Sequence, residues 1–355
     1  MQTKEIIERF REAQDSLVVQ QSDFSLAAIN EMVRKESIDI TPHYQRRDRW
    51  NQDKQSALIE SFILNVPVPP VYLSEDEYGH YSVIDGKQRI TAICDFLGGS
   101  LKLKGLKKFP ELDGLTFDQL PAPLQNALTV RPYIRVTTLL KQSDHNLKYE
   151  VFLRLNTGGD RLTAQEIRNV AFSGPLNDLL FELSEHRFLK DRLKIDGPKS
   201  STYRSMEDVE HVLRFFTVRD VWTNMRHSLG EEMDLFMERN RTSSTAELRS
   251  LFLDAITACE KLWGQHAFHK PTQGGWRTQL ISPLYDAQMV AVSMMVPSQL
   301  DFASQLHDRV VSATRALFES DPLFVKSVTQ STNNASSVRK RVTAIKDLLE
   351  STLGR

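Results

Sequence analysis

Tyr81-Ser82-Val83-Ile84-Asp85-Gly86-Lys87-Gln88-Arg89-Ile90-Thr91-Ala92-Ile93 is the stretch on which the reading of this chain turns. Val83 and Ile84 end a β-rich run, and from Ile90 the apolar residues follow helical spacing to Leu97, where Gly98-Gly99 closes the helix. A strand therefore runs into a helix across Asp85-Gly86. Such a helix start offers N–H groups without intrahelical partners and a partial positive charge; Gly86 permits a tight turn, and Lys87 and Arg89 add two cationic arms. This is chemistry suited to phosphate. A plain cap, with Asp85 on the N-terminal amides and the basic side chains in water, fits the same pattern.

Working outward, residues 71–73 pair with 81–84 across a turn at 75–79, which makes a β-hairpin. Upstream, Pro67, Pro69 and Pro70 stop a helix over 53–64 whose buried side is Leu58, Ile59, Phe62 and Ile63. Before it come a leading helix carrying Ile6, Phe10 and then Leu17 to Val19, a helix over 24–33 capped by Ser22 or Asp23, and a short strand at 38–40. Downstream, Leu128, Val130, Ile134 and Val136 alternate as in a strand or strand pair, with Pro132 at an edge or bulge. A helix over 145–155 capped by Asp144 leads to the loop 156–159, and Thr163-Ala164-Gln165-Glu166 is a capping box opening the next helix, which Gly174-Pro175 ends. Beyond that, 207–221, 231–238, 246–263, 279–295, 302–318 and 338–348 read as amphipathic helices with almost no strand signal, and 328–337 as an exposed polar loop. The expected fold class is α+β: an N-terminal helical arm (1–37), an α+β domain (38–175) and an all-α helical domain (176–355).

The chain has 355 residues, 40% of them hydrophobic, enough for a substantial core and two ordinary domains. Lys and Arg total 45 against 46 acids, so the net charge of −1 leaves no global footprint for nucleic acid or an anionic membrane. Any such contact needs a local patch. Cys94 and Cys259 sit far apart in apolar helical patterns and read as core thiols of a reducing compartment. With no signal-peptide pattern and no run of 18 apolar residues, the expected location is cytoplasmic, without membrane partners.

Two further groups carry candidate chemistry. On the loop Pro42-His43-Tyr44-Gln45-Arg46, the guanidinium of Arg46 suits a phosphate, Gln45 a base edge and Tyr44 base stacking, although this loop taken alone favours an ordinary basic loop with Tyr44 and Trp50 as core anchors. On Asn156-Thr157-Gly158-Gly159 the glycines let backbone approach a ligand, or simply end a helix; Glu166 is better spent on its capping box. Asp144-His145-Asn146 is a helix cap, and His266 with His269 lacks the partners of a zinc site.

Pro42-x-Tyr-Gln-Arg46, Trp50, Leu58-Ile-Glu-Ser61, Pro67-x-Pro-Pro70, Asp85-Gly-x-Gln-Arg89 and Arg154-Leu-Asn-Thr-Gly-Gly159 leading to Gln165-Glu-x-Arg168 occur here in one order. In this the chain resembles the N-terminal domain of GmrSD-type restriction systems, a domain similar in fold to ParB and sulfiredoxin. The resemblance implies nucleoside-triphosphate binding at the Asp85–Arg89 loop, with hydrolysis in some members, coupled to defence against modified or foreign DNA. It implies that Tyr44, Gln45, Arg46, Gly86, Lys87 and Arg89 bind the nucleotide and that Asn156, Gly158 and Gly159 close over it. Asp85 would hold Mg²⁺ and act with Gln88 in any hydrolysis.

Where the family pattern has a first glutamine, this chain has Lys87, which holds phosphate but cannot both donate and accept as an amide does. Binding is therefore expected before hydrolysis, which would be slow. No His-Asn-His nuclease cluster is found in the helical half. The competing expectation is a non-catalytic ParB-like DNA-binding or protein-interaction adaptor. It would use Arg46-Arg47-x-Arg49, Lys102 to Lys108 and Arg339-Lys340-Arg341 on DNA, or dock a separately encoded nuclease or methyltransferase. Self-association into a homo-oligomer is expected as well.

Overall fold

The computed structural model describes residues 2–40, 50–143, 150–151, 154–155, 163–295 and 303–353. They divide into two compact units, Met1–Ala171 and Phe172–Arg355. The first is α+β and the second helical, with one small exception.

The first unit runs α1 (Gln2–Asp15), β1 (Val19–Ser25), α2 (Leu26–Arg34), β2 (Ile38–Asp39), α3 (Gln52–Ile63), β3 (Val71–Glu77), β4 (His80–Asp85), α4 (Lys87–Leu97), α5 (Ala122–Val130), β5 (Tyr133–Leu139) and α6 (Ala164–Ala171). Its strands form one sheet in the order β1-β5-β3-β4-β2. The hairpin β3–β4 is antiparallel as its sequence predicts, and β5 joins β3 in parallel register from Val71↔Val136 to Ser74↔Leu139. Side chains alternate across the pleat. Val83, Ile134 and Val136 face the larger core with Leu26, Ile29, Ile59 and Ile93, whereas Ile84 and Leu139 meet Ile167 and Val170 of α6 on the other side. Each such fully buried aliphatic side chain contributes about 1.5–3 kcal/mol.

Three local expectations differ. Residues 19–25 form a strand, paired antiparallel with β5 from Val19↔Leu139 to Ser25↔Tyr133, because that register lets Phe24 pack against the larger core. Ser22 and Asp23 lie within it, so the cap of α2 is Ser25, whose hydroxyl accepts the Ala28 N–H at 3.2 Å. Leu128 and Val130 belong to α5 instead of a strand, since Pro121 and Pro123 set up a helix start before them. The expected helix start at Asp144 lies outside the described residues.

In the second unit come α7 (Pro175–Ser184), α8 (Arg187–Leu193), α9 (Ser201–Arg204), α10 (Glu207–Val221), α11 (Leu229–Asn240), α12 (Ala246–Trp263), β6 (His269–Thr272), β7 (Gly275–Leu280), α13 (Ser282–Val292), α14 (His307–Ser320), α15 (Pro322–Thr329) and α16 (Ala335–Leu353). Its core holds Trp263, whose indole N–H donates to Thr314 Oγ1 at 2.9 Å. A buried ionic knot ties three helices together: Asp286 of α13 accepts Arg214 Nε at 2.6 Å and Nη2 at 2.8 Å from α10, and Arg341 Nη2 at 2.6 Å from α16. The pattern from 279 onward predicted helix, yet Gln279 and Leu280 finish a two-stranded ribbon, β6–β7, and α13 starts at Ser282. Pro271 and Gly274-Gly275 mask that ribbon in the sequence, because proline and glycine weigh against a strand.

Candidate functional site

β4 ends on Asp85, and Gly86 turns the chain into α4 at φ 101°. A Cβ there would stand 2.7 Å from Val71 Cγ2 and 3.1 Å from Arg89 Nη2, so both backbone conformation and space require glycine. As the N-cap residue, Gly86 has no side chain with which to cap the first turn. Asp85 does not substitute for it. Its Oδ2 accepts from Arg89 Nη2 at 2.5 Å, one helical turn on.

Arg89 is the less exposed partner, with 13% of its side chain accessible against 50% for Asp85. The same Nη2 donates to the Pro70 carbonyl at 3.1 Å, while the buried Nε has no acceptor among the described residues. The expected alternative of basic side chains in water therefore does not describe Arg89. Gln88 turns the other way, its Oε1 accepting the Trp50 N–H at 3.0 Å and fastening α4 to the approach of α3. Asp85, Gly86, Lys87, Gln88 and Arg89 are thus gathered on one turn. Tyr44, Gln45, Arg46, Asn156, Gly158 and Gly159 lie outside the described residues.

α6 adds what the sequence did not assign. Glu166 closes the capping box as expected, accepting the Thr163 N–H at 2.6 Å while its own N–H donates to Thr163 Oγ1 at 3.2 Å. Its neighbours Gln165, Arg168 and Asn169 are buried too. Gln165 Nε2 donates to Asn169 Oδ1 at 2.8 Å, but Gln165 Oε1 accepts nothing among the described residues. An amide oxygen left so costs about 1–3 kcal/mol. The apolar face of this helix packs on Ile84, immediately before Asp85, so a polar wall accompanies the strand end that carries the site. Pro70 was legible only as a helix stop; its carbonyl grips Arg89. Four polar residues among Gln165–Asn169 were the available signal for the wall.

Of the basic runs considered for DNA, Lys102, Lys104, Lys107 and Lys108 stay exposed, and the bonds there tie down one ammonium and one backbone amide. Lys104 pairs with Asp53 at 3.1 Å, and the Lys108 N–H donates to Glu60 Oε1 at 2.6 Å, which with neighbouring amides holds the Glu60 carboxyl below its usual range. Arg341 is fully buried against Asp286, Lys340 pairs with Asp321 at 2.7 Å, and Arg339 donates to the Thr223 carbonyl at 2.6 Å. Of this triplet Arg341 is withdrawn from the surface, while Arg339 is exposed and Lys340 partly so. Residues 46–49 lie outside the described set.

No group of three or more His, Cys, Asp or Glu that could hold a metal ion occurs among the described residues. Cys94 is partly buried with its thiol pushed up to about 11 by burial and Asp95, and Cys259 is fully buried, which pushes its thiol well above the ordinary range. Neither is poised as a nucleophile. Among the described residues no helix is long and apolar enough to cross a membrane. The polar loop before α16 lines an open groove of about 640 Å³ with Arg226, His227 and Ser228. Its polar groups serve the fold: Glu232 accepts the Arg226 and His227 N–H groups, and Asn334 accepts that of Ser337.

Residues 29–173, about two-fifths of the chain, match the family model described as GmrSD restriction endonuclease, N-terminal domain. That span carries every element from β2 to α6, including the Asp85–Arg89 turn. Comparison with curated proteins and with solved structures gives no match.

Proposed function

We propose that this protein binds a nucleoside triphosphate at the turn into α4 and serves as a regulatory component of a DNA restriction or phage-defence system. The family match over 29–173 supports the setting. The Asp85–Arg89 clasp carries the reading for the ligand. A guanidinium drawn out of water, held by a carboxylate and a carbonyl and keeping an unpartnered Nε, exchanges readily to a phosphate, which accepts two of its donors at once. The exchange leaves Arg89 neutralised throughout and frees Asp85.

Asp85 fits a Mg²⁺ ion: half exposed, it has a second carboxylate oxygen beyond the one on Arg89, and Mg²⁺ needs only one or two carboxylates beside phosphate and water. Once bound, the ion supplies charge neutralisation across the phosphate oxygens. The roles that the resemblance implies complete the reading: Lys87 and Arg46 as further cations, Tyr44 and Gln45 for the base, and Asn156, Gly158 and Gly159 to close over the nucleotide. Three charge-assisted contacts of about 1.5–3 kcal/mol each reach about micromolar affinity. Turnover is slow at most. Lys87 cannot orient water as an amide does, and Gln88 would have to release the Trp50 N–H to do so.

Calorimetric titration with each of the four triphosphates plus Mg²⁺, alongside Arg89→Ala and with phosphate release assayed in the same samples, tests the reading. Saturable binding lost in Arg89→Ala supports nucleotide binding at this turn, and phosphate release makes the protein an enzyme. Absence of binding leaves a DNA or protein adaptor.

A further inference from the structure

The ribbon β6–β7 belongs to no function so far described. Its segment of chain, 261–285, contains no Asp or Glu, though 46 of the 355 residues are acidic. Along it Thr272, Gln273, Arg277, Thr278 and Gln279 are exposed, and Lys270 is half-buried. These are hydrogen-bonding side chains without a carboxylate among them.

The surroundings add positive charge. Arg315 of α14 braces the ribbon, Nη1 donating to the Thr272 carbonyl at 3.1 Å and Nη2 to that of Gly275 at 3.0 Å, with its guanidinium 5.4 Å over the Trp276 ring. His266 stacks on the same indole at 4.7 Å. Lys194 Nζ donates to Thr278 Oγ1 at 3.1 Å, and Arg192 Nη1 donates to the Gln265 carbonyl. Every one of these acceptors is neutral. Among the described residues no carboxylate lies within 4.0 Å of Arg192, Lys194, Lys270, Arg277 or Arg315; Asp191, the nearest acid to Arg192 in the chain, faces Arg187 at 3.9 Å. Buried His269 keeps an unpartnered Nε2 beside this group. Its imidazole and that of His266 are held below their ordinary range first by burial and then by basic neighbours, Arg192 and Lys194 for His269 and Arg315 and Arg192 for His266.

We propose that β6–β7 is a contact element for duplex DNA, entering the major groove as a two-stranded ribbon with Lys194, Lys270 and Arg315 toward the phosphates. The major groove admits a ribbon of this width, and Arg, Gln and Thr are the side chains that pair with base edges there. An acidic protein would use the cations but not the uncharged run Thr272, Gln273, Thr278 and Gln279. An unpaired strand would need a bare aromatic platform, and Trp276 is already packed against His266 and Arg315. Since the whole chain is near neutral, concentrated unneutralised charge here is a local signal.

The test is fluorescence anisotropy of a short labelled duplex with the full chain, titrated in salt. The wild type binds, and Lys270→Glu/Arg277→Glu, both at positions outside the packed core, weakens binding about tenfold or more. It also flattens the log–log salt slope by about one for each phosphate that is no longer neutralised. A charge-matched control in the first unit, Arg34→Glu/Lys35→Glu, binds as the wild type does. Triphosphate calorimetry on the same ribbon variant is unchanged, which separates this inference from the nucleotide reading. No duplex binding, or equal binding by the ribbon variant, overturns the proposal. Competition by poly-glutamate as effective as by duplex at equal charge overturns it in favour of an acidic protein partner, and tighter binding of single strands overturns the ribbon-in-groove geometry.

Discussion

Asp85 and Arg89 stand one helical turn apart and clasp each other at 2.5 Å, across a glycine whose missing side chain makes room for the guanidinium. The carboxylate that precedes a helix ordinarily turns back onto the helix amides. Here it holds Arg89, whose side chain is mostly withdrawn from water. On the proposed reading, an incoming phosphate has to displace this internal anion.

That competition is measurable. Asp85→Asn removes the internal anion, so triphosphate affinity without Mg²⁺ rises about two- to fivefold, the amount a partly exposed ion pair of about 0.5–1 kcal/mol represents. The gain from adding Mg²⁺ shrinks in the same variant. Calorimetry with and without the metal reads both effects, and unchanged affinity in both conditions removes the displacement model.

Gly86→Ala meets two penalties at once, the left-handed backbone and the 2.7 Å approach to Val71 Cγ2. It destabilises the first unit by about 1–3 kcal/mol in urea unfolding. Val71→Ala removes the steric part only. The double variant therefore loses less stability than the two single losses added together, a coupling that a double-mutant cycle reports.

Asp286→Ala strands two guanidiniums, those of Arg214 and Arg341, in a site where the carboxylate is fully buried. The expected loss is about 3–5 kcal/mol. Arg341→Met keeps the bidentate pair between Asp286 and Arg214, removes a buried cation whose Nε has no acceptor among the described residues, and loses much less. Chemical denaturation orders the two variants, and an equal loss from both refutes the knot as described.

His269 is held down to about 4 from an ordinary value of 6.5, first by burial and then by Arg192, His266 and Lys194. Below pH 6.5 the unfolded chain takes up this proton and the folded chain does not, so stability falls as the pH drops from about 6.5 toward about 4. His186, His211 and His266 are lowered in the same direction and contribute to the slope. His269→Gln reduces the loss of stability between pH 7.5 and 5 without abolishing it, as urea midpoints at the two values show.

Where the sequence was legible, local chemistry and tertiary demand agreed. The hairpin β3–β4, the turn at Asp85-Gly86, the capping box at Thr163 and the helices 207–221 and 246–263 each carry their periodicity or their turn chemistry in their own residues. Elsewhere distant partners decided the outcome. Val19–Ser25 has too polar a pattern to announce a strand and becomes one through β5, more than a hundred residues away. Arg341 sits in a basic triplet that looks solvated, and only the arrival of Asp286 from α13 explains its burial. Trp276 and Arg315 lie on separate elements, so no window of sequence joins them.

The pairing of β1 with β5 also sets a clock. Val19 has its partner at Leu139, and β5 stands between β1 and β3 in the sheet. During synthesis the first strand has no neighbour until the last one has cleared the ribosome, so some hundred and twenty residues must wait as an open intermediate with a bare sheet edge. A fragment that stops short of Leu139 inherits that edge permanently. It will seek the missing strand in another molecule, and since Ile167 and Val170 cover Ile84 and Leu139, a piece cut free without aggregating has to run on through α6.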